Sequence, residues 1–251
     1  MRHTLIVRHC LLVLTGAVVL TSFTALAGVS KSEAPILTWV GGDSGNFETA
    51  SNWQDADGNA RVPKHYDVLV FPKGGTFTKN STYLTLWGVT VTSPDPVTIN
   101  TGALTFENGG DIIVSGAGAV TFEGLLNCGY HRTDTVNVKV AAGSTANFDG
   151  EISGPGGVSY ADLGTVNLNG ANTYAGPTTF KLGQIHVLND WAFGTCTNGS
   201  SDGTTLTLGS VTALKQLQVY FHGNTLGEYF TLTTHKGGCV YGPMVFPAGT
   251  T

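Results

Sequence analysis

Short segments in which apolar and polar residues alternate recur from residue 68 to about residue 187. They follow one another about every seven to ten residues and are separated by Gly, Asn or Pro. Because successive side chains of a strand point to opposite faces, the alternation predicts half-buried strands. After position 27 no stretch sustains an apolar stripe of helical period, so we expect few helices. The predicted strands include residues 83–86, 89–91, 97–99, 104–106, 112–114, 120–122 and 136–140.

The clearest pattern lies at residues 164–190, GTVNLNGANTYAGPTTFKLGQIHVLND. It predicts three strands, at residues 165–168, 178–181 and 184–188. A polar turn at residues 169–172 follows the first strand, and Gly183 separates the last two. Three short strands and their turns within so short a segment are the layout of one coil of a β-solenoid.

Internal similarity favours a solenoid over a β-sandwich. ALTFENG at residues 103–109 and AVTFEG at residues 119–124 nearly repeat, and NFDG at residues 147–150 is similar to both. We therefore predict an all-β fold, a right-handed parallel β-helix over about residues 68–232. Its coils would be about 20–25 residues long.

Residues 164–190 resemble the autotransporter-associated β-strand repeat, whose members share the pattern G-T-L-x-L-x-G-x-N-T-Y-x-G-x-T-x-x-x-x-G-x-L-x-L. Val166 and Ile185 are β-branched replacements for leucine, and Gln184 stands where threonine is usual. The resemblance implies an exported bacterial protein with an adhesive or structural role. The matching residues are Gly164, Thr165, Leu168, Gly170, Asn172, Thr173, Tyr174, Gly176, Thr178, Gly183 and Val187.

Residues 38–71 resemble the opening that precedes such repeats in large exported bacterial proteins. A solenoid's first coil needs a cap over its core, and Trp39, Phe47 and Trp53 have the bulk to provide one. We predict a signal peptide at residues 1–27, a leader and aromatic-rich cap at 28–67, a solenoid at 68–232 and a tail at 233–251. The resemblance is carried by Trp39, Asn52, Trp53, Val62, Pro63, Asp67, Val68, Val70 and Phe71.

Residues 1–27 have the layout of a secretory signal peptide. Arg2 and Arg8 give a basic start, an apolar run follows, and residues 25–27 read Ala-Leu-Ala. This predicts cleavage between Ala27 and Gly28, with a retained anchor as the alternative. No second hydrophobic segment follows, so we expect an exported chain without a membrane span, extracellular or at the cell surface, with the periplasm or outer membrane as alternatives.

Charge and cysteine content narrow the possible partners. Removing residues 1–27 takes away two arginines and no acid, so the formal net charge moves from −5 to −7, which argues against nucleic acid. Cys128, Cys196 and Cys239 would remain and cannot all pair within one molecule. One disulfide with a spare thiol, or three buried thiols, are both open, as is the oligomeric state.

Acidic residues offer two candidates for chemistry. Glu107, Glu123 and Asp149 each follow a phenylalanine near a glycine, so they could form a carboxylate column that binds calcium or cleaves a glycosidic bond. The alternative is that each ends a strand on the solvated face. The sequence Asp55-Ala-Asp57-Gly58-Asn59 could begin a calcium loop, but the remaining EF-hand positions do not match, so an Asx-rich turn is the alternative.

Histidines and aromatic residues complete the candidates. No two mature histidines lie close in sequence, and His186 alternates with apolar neighbours, as an outward strand residue would. Exposed aromatic rings could stack on sugars, although packing explains Tyr174 better. The aromatic candidates are Tyr83, Trp87, Tyr130, Tyr160 and Tyr174.

The sequence contains no glycine-rich phosphate loop, nucleophile motif or zinc spacing, so we expect no catalytic residue, metal or cofactor. The favoured function is a non-catalytic exported surface or matrix protein, a structural or adhesive passenger that presents loops to an extracellular glycan or another cell. One alternative is a polysaccharide-binding or polysaccharide-degrading β-helix protein. Another is a truncated autotransporter passenger, either released or a fragment, without an independent role.

Overall fold

The computed structural model describes residues 31–79, 83–131, 133–189, 191–194, 204–208, 217–221 and 230–234. The predicted signal peptide and most of the predicted C-terminal tail lie outside these residues. The described part contains strands and two short 3₁₀ helices, Lys31–Glu33 and Ala50–Asn52. The strands are β1 (Ile36–Trp39), β2 (Ser44–Asn46), β3 (Trp53–Asp55), β4 (Val68–Phe71), β5 (Gly75–Lys79), β6 (Leu84–Val91), β7 (Val97–Thr101), β8 (Ala103–Val114), β9 (Ala119–Phe122), β10 (Leu125–Asn127), β11 (Thr135–Val140), β12 (Thr145–Phe148), β13 (Ile152–Ser153), β14 (Gly157–Ala161), β15 (Thr165–Leu168), β16 (Thr178–Phe180), β17 (Gly183–Val187), β18 (Thr204–Leu208), β19 (Leu217–Phe221) and β20 (Phe230–Thr234).

The strands form a β-solenoid with two long sheets, which confirms the predicted fold class. Sheet 1 runs in the order β20-β18-β16-β14-β11-β8-β6-β4-β1-β3, and sheet 2 runs β19-β17-β15-β12-β9-β7-β5-β2. From β4 onward, apart from β10 and β13, the chain passes alternately from one sheet to the other, so each coil contributes a strand to each. Neighbouring coils pair in parallel, as β1 does with β4 and β2 with β5. Within the described residues no helix is long and apolar enough to cross a membrane.

The coils of sheet 2 stack in register. Thr165 aligns with Thr145 of the coil before it and with Gln184 of the coil after it. Because the register is kept from coil to coil, aligned residues point to the same side of the sheet and lie above one another in columns. One inward column is entirely buried and consists of Val97, Val120, Ala146, Val166, Ile185 and Val219.

Aromatic rings fill the middle of the core. Phe122 and Phe148 stack with their ring centroids 5.2 Å apart and their planes 9° from parallel. Tyr160, Phe180 and Phe193 continue the contacts at centroid distances of 5.5 and 5.8 Å. Each aromatic pair stabilises the fold by about 0.5–1.5 kcal/mol beyond the area that it buries.

A third, shorter ribbon of parallel strands forms one corner of the solenoid. The first part of β6 pairs with the first part of β8, which also pairs with β10, and β10 pairs with β13. The register between β6 and β8 shifts between Leu86 and Gly88, where β8 has extra residues. The sequence predicted two separate strands within each of β6 and β8, and that prediction was wrong because each runs through the corner as one strand.

The N-terminal end of the core is closed by an aromatic cluster that includes Trp39, Phe47 and Trp53, the residues predicted to cover it. The predicted start of the solenoid at residue 68 was wrong, because β1 and β2 already pair in parallel with the coil that follows. Trp39 lies 5.0 Å from Trp53 and 4.7 Å from Phe77, measured between ring centroids. Phe47 and Phe71 complete the cluster, and all five side chains are buried. Strand β3 pairs antiparallel with β1 and is the edge strand of sheet 1. It is only three residues long, and a short edge strand suppresses pairing with another chain.

Candidate functional site

Three aromatic side chains lie at the corner formed by the third ribbon, where Tyr66 contacts Trp87 and the hydroxyl of Tyr130 reaches Thr85. We call Tyr66, Trp87 and Tyr130 the aromatic patch. The rings of Tyr66 and Trp87 have centroids 5.8 Å apart and planes inclined by 52°. Tyr66 is 41% exposed and Tyr130 is 57% exposed, whereas Trp87 is half-buried. The patch therefore presents aromatic surface to solvent.

Hydrogen bonds fix the loop that carries Tyr66. The carboxylate of Asp67 is buried and accepts two hydrogen bonds from the Arg61 guanidinium, at 2.6 and 2.9 Å. The backbone carbonyl of Asp67 accepts the N–H of Trp87 at 3.1 Å, and the N–H of Tyr66 donates to the carbonyl of Thr85 at 2.8 Å. Tyr66 has a φ of 72°, a conformation that non-glycine residues rarely adopt. Such conformations persist where the surroundings hold them and are concentrated at functional sites.

A second buried carboxylate positions Tyr130. Oδ2 of Asp134 accepts the backbone N–H groups of Tyr130 and His131 at 3.0 and 3.1 Å. Asp134 is buried, and Gly129, with a φ of 72°, allows the tight turn before Tyr130. The Tyr130 hydroxyl lies 3.4 Å from Oγ1 of Thr85. The patch is thus anchored from two different coils.

Glu107 is the carboxylate that acts on the patch. Its negative charge, together with partial burial and a hydrogen bond from the phenol, raises the pKa of Tyr66. His65 lies beside Tyr66, at a ring centroid distance of 6.3 Å, and its Nδ1 accepts the N–H of Thr85 at 3.2 Å. Aromatic faces, hydrogen-bond donors and hydrogen-bond acceptors therefore lie close together at this corner.

Glu123 and Asp149 occupy equivalent positions in adjacent coils, because Phe122 and Phe148 align and each acid follows its phenylalanine. Glu107 belongs to β8 of sheet 1 and not to this column, so the hypothesis of a three-carboxylate column was wrong. The amide of Asn100 donates to Glu123 at 2.8 Å. The amide of Asn169 likewise donates to Asp149. Each of the two acids therefore accepts a hydrogen bond from an amide of a neighbouring coil.

Beside the acids, polar side chains form a ladder on the outer face of sheet 2. The amide of Asn147 donates to Oγ1 of Thr121 at 3.1 Å. The amide of Asn167 donates to Oδ1 of Asn147 at 2.7 Å. His186 follows Asn167 in register and stacks on Tyr220, with centroids 4.7 Å apart. These contacts connect neighbouring coils and give a polar outer face.

The Asp55 loop forms a turn. Oδ1 of Asp55 accepts the backbone N–H of Asp57 at 3.1 Å and that of Asn59 at 2.8 Å. The backbone hydrogen bond from Asn59 is the main cause that lowers the pKa of Asp55. This is the Asx-turn arrangement. Across the described ranges, no three His, Cys, Asp or Glu side chains are grouped so that they could hold a metal ion.

The aromatic candidates divide into two groups. Tyr160 and Tyr174 are buried, so neither ring can serve as an exposed platform for a sugar. Tyr83 is exposed, and Trp87 and Tyr130 belong to the aromatic patch. Sequence reasoning missed Tyr66 as a surface aromatic because it placed residue 66 within the cap. No local pattern indicates the positive φ at this residue.

The residues of the repeat pattern make contacts between coils and within the turn of their own coil. Asn172 is buried and hydrogen-bonds to backbone groups of two other coils. The Tyr174 hydroxyl lies 2.5 Å from Oγ1 of Thr178, and Thr173 donates to Glu151. The glycines of the pattern lie where an adjacent coil leaves no room for a side chain, and they are Gly164, Gly170, Gly176 and Gly183.

Cys128 is a buried free thiol, and burial raises its pKa. A thiol without thiolate character is a poor nucleophile, so its position indicates packing. Cys196 and Cys239 lie outside the described residues, as does the predicted cleavage site between Ala27 and Gly28. Their predicted roles remain predictions.

Comparison with protein-family models, with curated protein sequences and with solved structures finds no match.

Proposed function

We propose that the protein is a non-catalytic exported surface or matrix protein in which the β-solenoid serves as a structural or adhesive rod. The observation that supports this most is the double connection between successive coils. Buried columns such as Val120, Ala146 and Val166 hold the coils from inside, and the amides of Asn147 and Asn167 hold them from outside. Stacked repeats of this kind offer an extended surface for binding.

The surroundings of the acids support a non-catalytic role. A hydrolytic pair of carboxylates needs one group that retains a proton and one that reaches the substrate or a water. Glu123 accepts a hydrogen bond from Asn100, and Asp149 accepts one from Asn169. Both acids are exposed, and each carboxylate is engaged by an amide of a neighbouring coil.

Export is supported by the basic start, the apolar run and the Ala-Leu-Ala sequence at residues 25–27. The test is to express the whole chain in a bacterium, separate the cell fractions and sequence the N-terminus of the protein. We expect a chain that begins at Gly28 and is recovered outside the cytoplasm. A chain that stays in the cytoplasm with its N-terminus intact contradicts the proposal.

A polysaccharide-degrading β-helix protein is the second candidate, favoured by the adjacency of Glu123 and Asp149 in register. Incubation of the purified chain with soluble polysaccharides, followed by measurement of new reducing ends, separates the two. The rod proposal predicts no reducing ends above the level of a heat-inactivated sample. Reducing ends that disappear in the double variant Glu123→Gln, Asp149→Asn would establish hydrolysis and overturn the non-catalytic role.

A further inference from the structure

We propose that the aromatic patch of Tyr66, Trp87 and Tyr130, with the Glu107 carboxylate beside Tyr66, binds a pyranose ring of a neutral polysaccharide. This inference rests on the proposed adhesive function and gives it a site and a class of ligand. It is carried by the exposure of the rings, the polar groups around them and the hydrogen bonds that hold their loops.

The chemistry of a pyranose matches two kinds of surface at once. The faces of the ring carry C–H bonds and are apolar, whereas its edge carries hydroxyl groups. An aromatic face is a flat apolar partner for the former, and Tyr and Trp combine such a face with a polar group. Tyr66 and Tyr130 are both exposed. Their rings are therefore accessible to a ligand in the way that the buried Tyr160 is not.

Donors and acceptors for the hydroxyl groups surround the rings. The Glu107 carboxylate is a strong acceptor that already interacts with Tyr66. Since Nδ1 of His65 accepts the N–H of Thr85, Nε2 carries the proton of the neutral ring and is a donor. The hydroxyl of Tyr130 can both donate and accept. A few well-placed polar groups on an apolar surface are what small-ligand sites require.

The indole of Trp87 adds an independent observation. Its Nε1 is shielded from solvent, and within the described part of the chain it has no hydrogen-bond acceptor. Buried polar groups of native proteins nearly always have a partner. A small shift of the surrounding side chains on binding would let a water that bridges to a sugar hydroxyl supply the acceptor that this shielded N–H lacks.

Charge decides between neutral and acidic polysaccharides. The group that interacts with Tyr66 is a carboxylate, which repels a uronate or sulfate. The charge of the nearby Arg61 guanidinium is already balanced by the buried carboxylate of Asp67, which weakens its attraction for an added anion. A neutral sugar experiences no such repulsion.

The loops of the site are held in place by the protein itself. Asp67 holds the loop of Tyr66, and Asp134 holds the turn of Tyr130. Loops that are already ordered lose little conformational entropy on binding, which favours affinity.

The test is affinity electrophoresis of the purified chain through native gels that contain β-glucan, xylan or galactomannan, with polygalacturonate as the acidic comparison. We expect at least one neutral polysaccharide to retard the chain. Tyr130→Ala and Trp87→Ala should each raise the apparent dissociation constant at least about tenfold. Trp191→Ala is the matched control, because Trp191 is an exposed aromatic, at 45%, in a distant coil.

Thermal unfolding of each variant shows whether it is folded, and Tyr130→Ala, which removes an exposed ring, carries the test if Trp87→Ala does not fold. Retardation that is equal in Tyr130→Ala and the natural chain overturns the site. Migration that no neutral polysaccharide alters, or retardation by polygalacturonate alone, overturns the ligand class. These outcomes leave the rod proposal standing, since that is tested by the processed N-terminus and by reducing ends.

Discussion

The buried side-chain amide of Asn172 accepts the backbone N–H of Ile152 through Oδ1 at 2.8 Å, across a separation of 20 residues. Its Nδ2 donates to the carbonyl of Ala192 at 2.6 Å, 20 residues further along the chain. One side chain therefore connects three successive coils at a turn between strands. This is a physical reason for asparagine at that position.

Asn172→Ala should destabilise the protein by about 2–4 kcal/mol, because it leaves one buried N–H and one buried carbonyl without a partner. The matched control is Asn167→Ala, which removes an amide from the partly exposed ladder and should cost less than about 1 kcal/mol. Urea unfolding followed by circular dichroism gives both values. Equal losses in the two variants would show that the Asn172 bridge adds no more stability than a surface amide.

Gly170→Ala should destabilise the protein by about 1–3 kcal/mol through overpacking. A methyl group at Gly170 would press into the carbonyl oxygen of Gly150 in the adjacent coil. Gly42→Ala is the control, because the nearest atom to its added methyl is the Ser44 carbonyl oxygen at 3.9 Å. Comparison of the two melting temperatures checks this, and an unchanged value for Gly170→Ala would mean that the coils can separate freely there.

Trp53→Ala should lower stability by about 3–5 kcal/mol, since it empties the middle of the cap. Trp53 is fully buried and packs edge-on against Trp39 and Phe47. Loss of the cap should also promote association through the uncovered end, which sedimentation velocity would detect as larger species. Trp191→Ala should remain as stable and as monodisperse as the natural chain.

The Tyr66 phenol should ionise at a higher pH than an ordinary tyrosine. The negative charge of Glu107, partial burial and the hydrogen bond all favour the neutral phenol and raise its pKa. The stabilisation of the folded state by the neutral Tyr66 phenol is therefore fully present below the ordinary tyrosine pKa. It is lost as the pH rises through the raised pKa. Phenolate absorbance measured against pH, with Tyr66→Phe to identify the group, should show earlier ionisation in Glu107→Gln. An unchanged titration in Glu107→Gln would mean that the carboxylate does not act on Tyr66.

Much of the fold follows from local alternation. The strand predicted at residues 165–168 is β15 as observed, because Val166 and Leu168 face the core while Asn167 faces outward. The predicted strands at 178–181 and 184–188 differ from β16 and β17 only at their ends. Where successive residues face the core and the solvent in turn, the sequence alone specifies the strand.

The corner could not be predicted in this way. Strand β8 is continuous although residues 107–110 interrupt the alternation, because the strand turns from the third ribbon into sheet 1. The aromatic patch arises at the same place from residues 66, 87 and 130, which only the coil register brings together. Positions so far apart in sequence carry no shared periodicity, so the site required the structure.

The most direct test of the account is whether Asn147 and Asn167 are neighbours in consecutive coils, as their register and hydrogen bond require. Parallel neighbours lie about 4.8 Å apart, within reach of a disulfide, whereas positions two coils apart exceed the limit of about 7 Å. The double variant Asn147→Cys, Asn167→Cys should form an internal disulfide under mild oxidation, identified by peptide mapping. The pair Asn147→Cys, His186→Cys should not. The reverse result, or a link in neither variant, would contradict the stacked solenoid on which the proposed rod and its binding site depend.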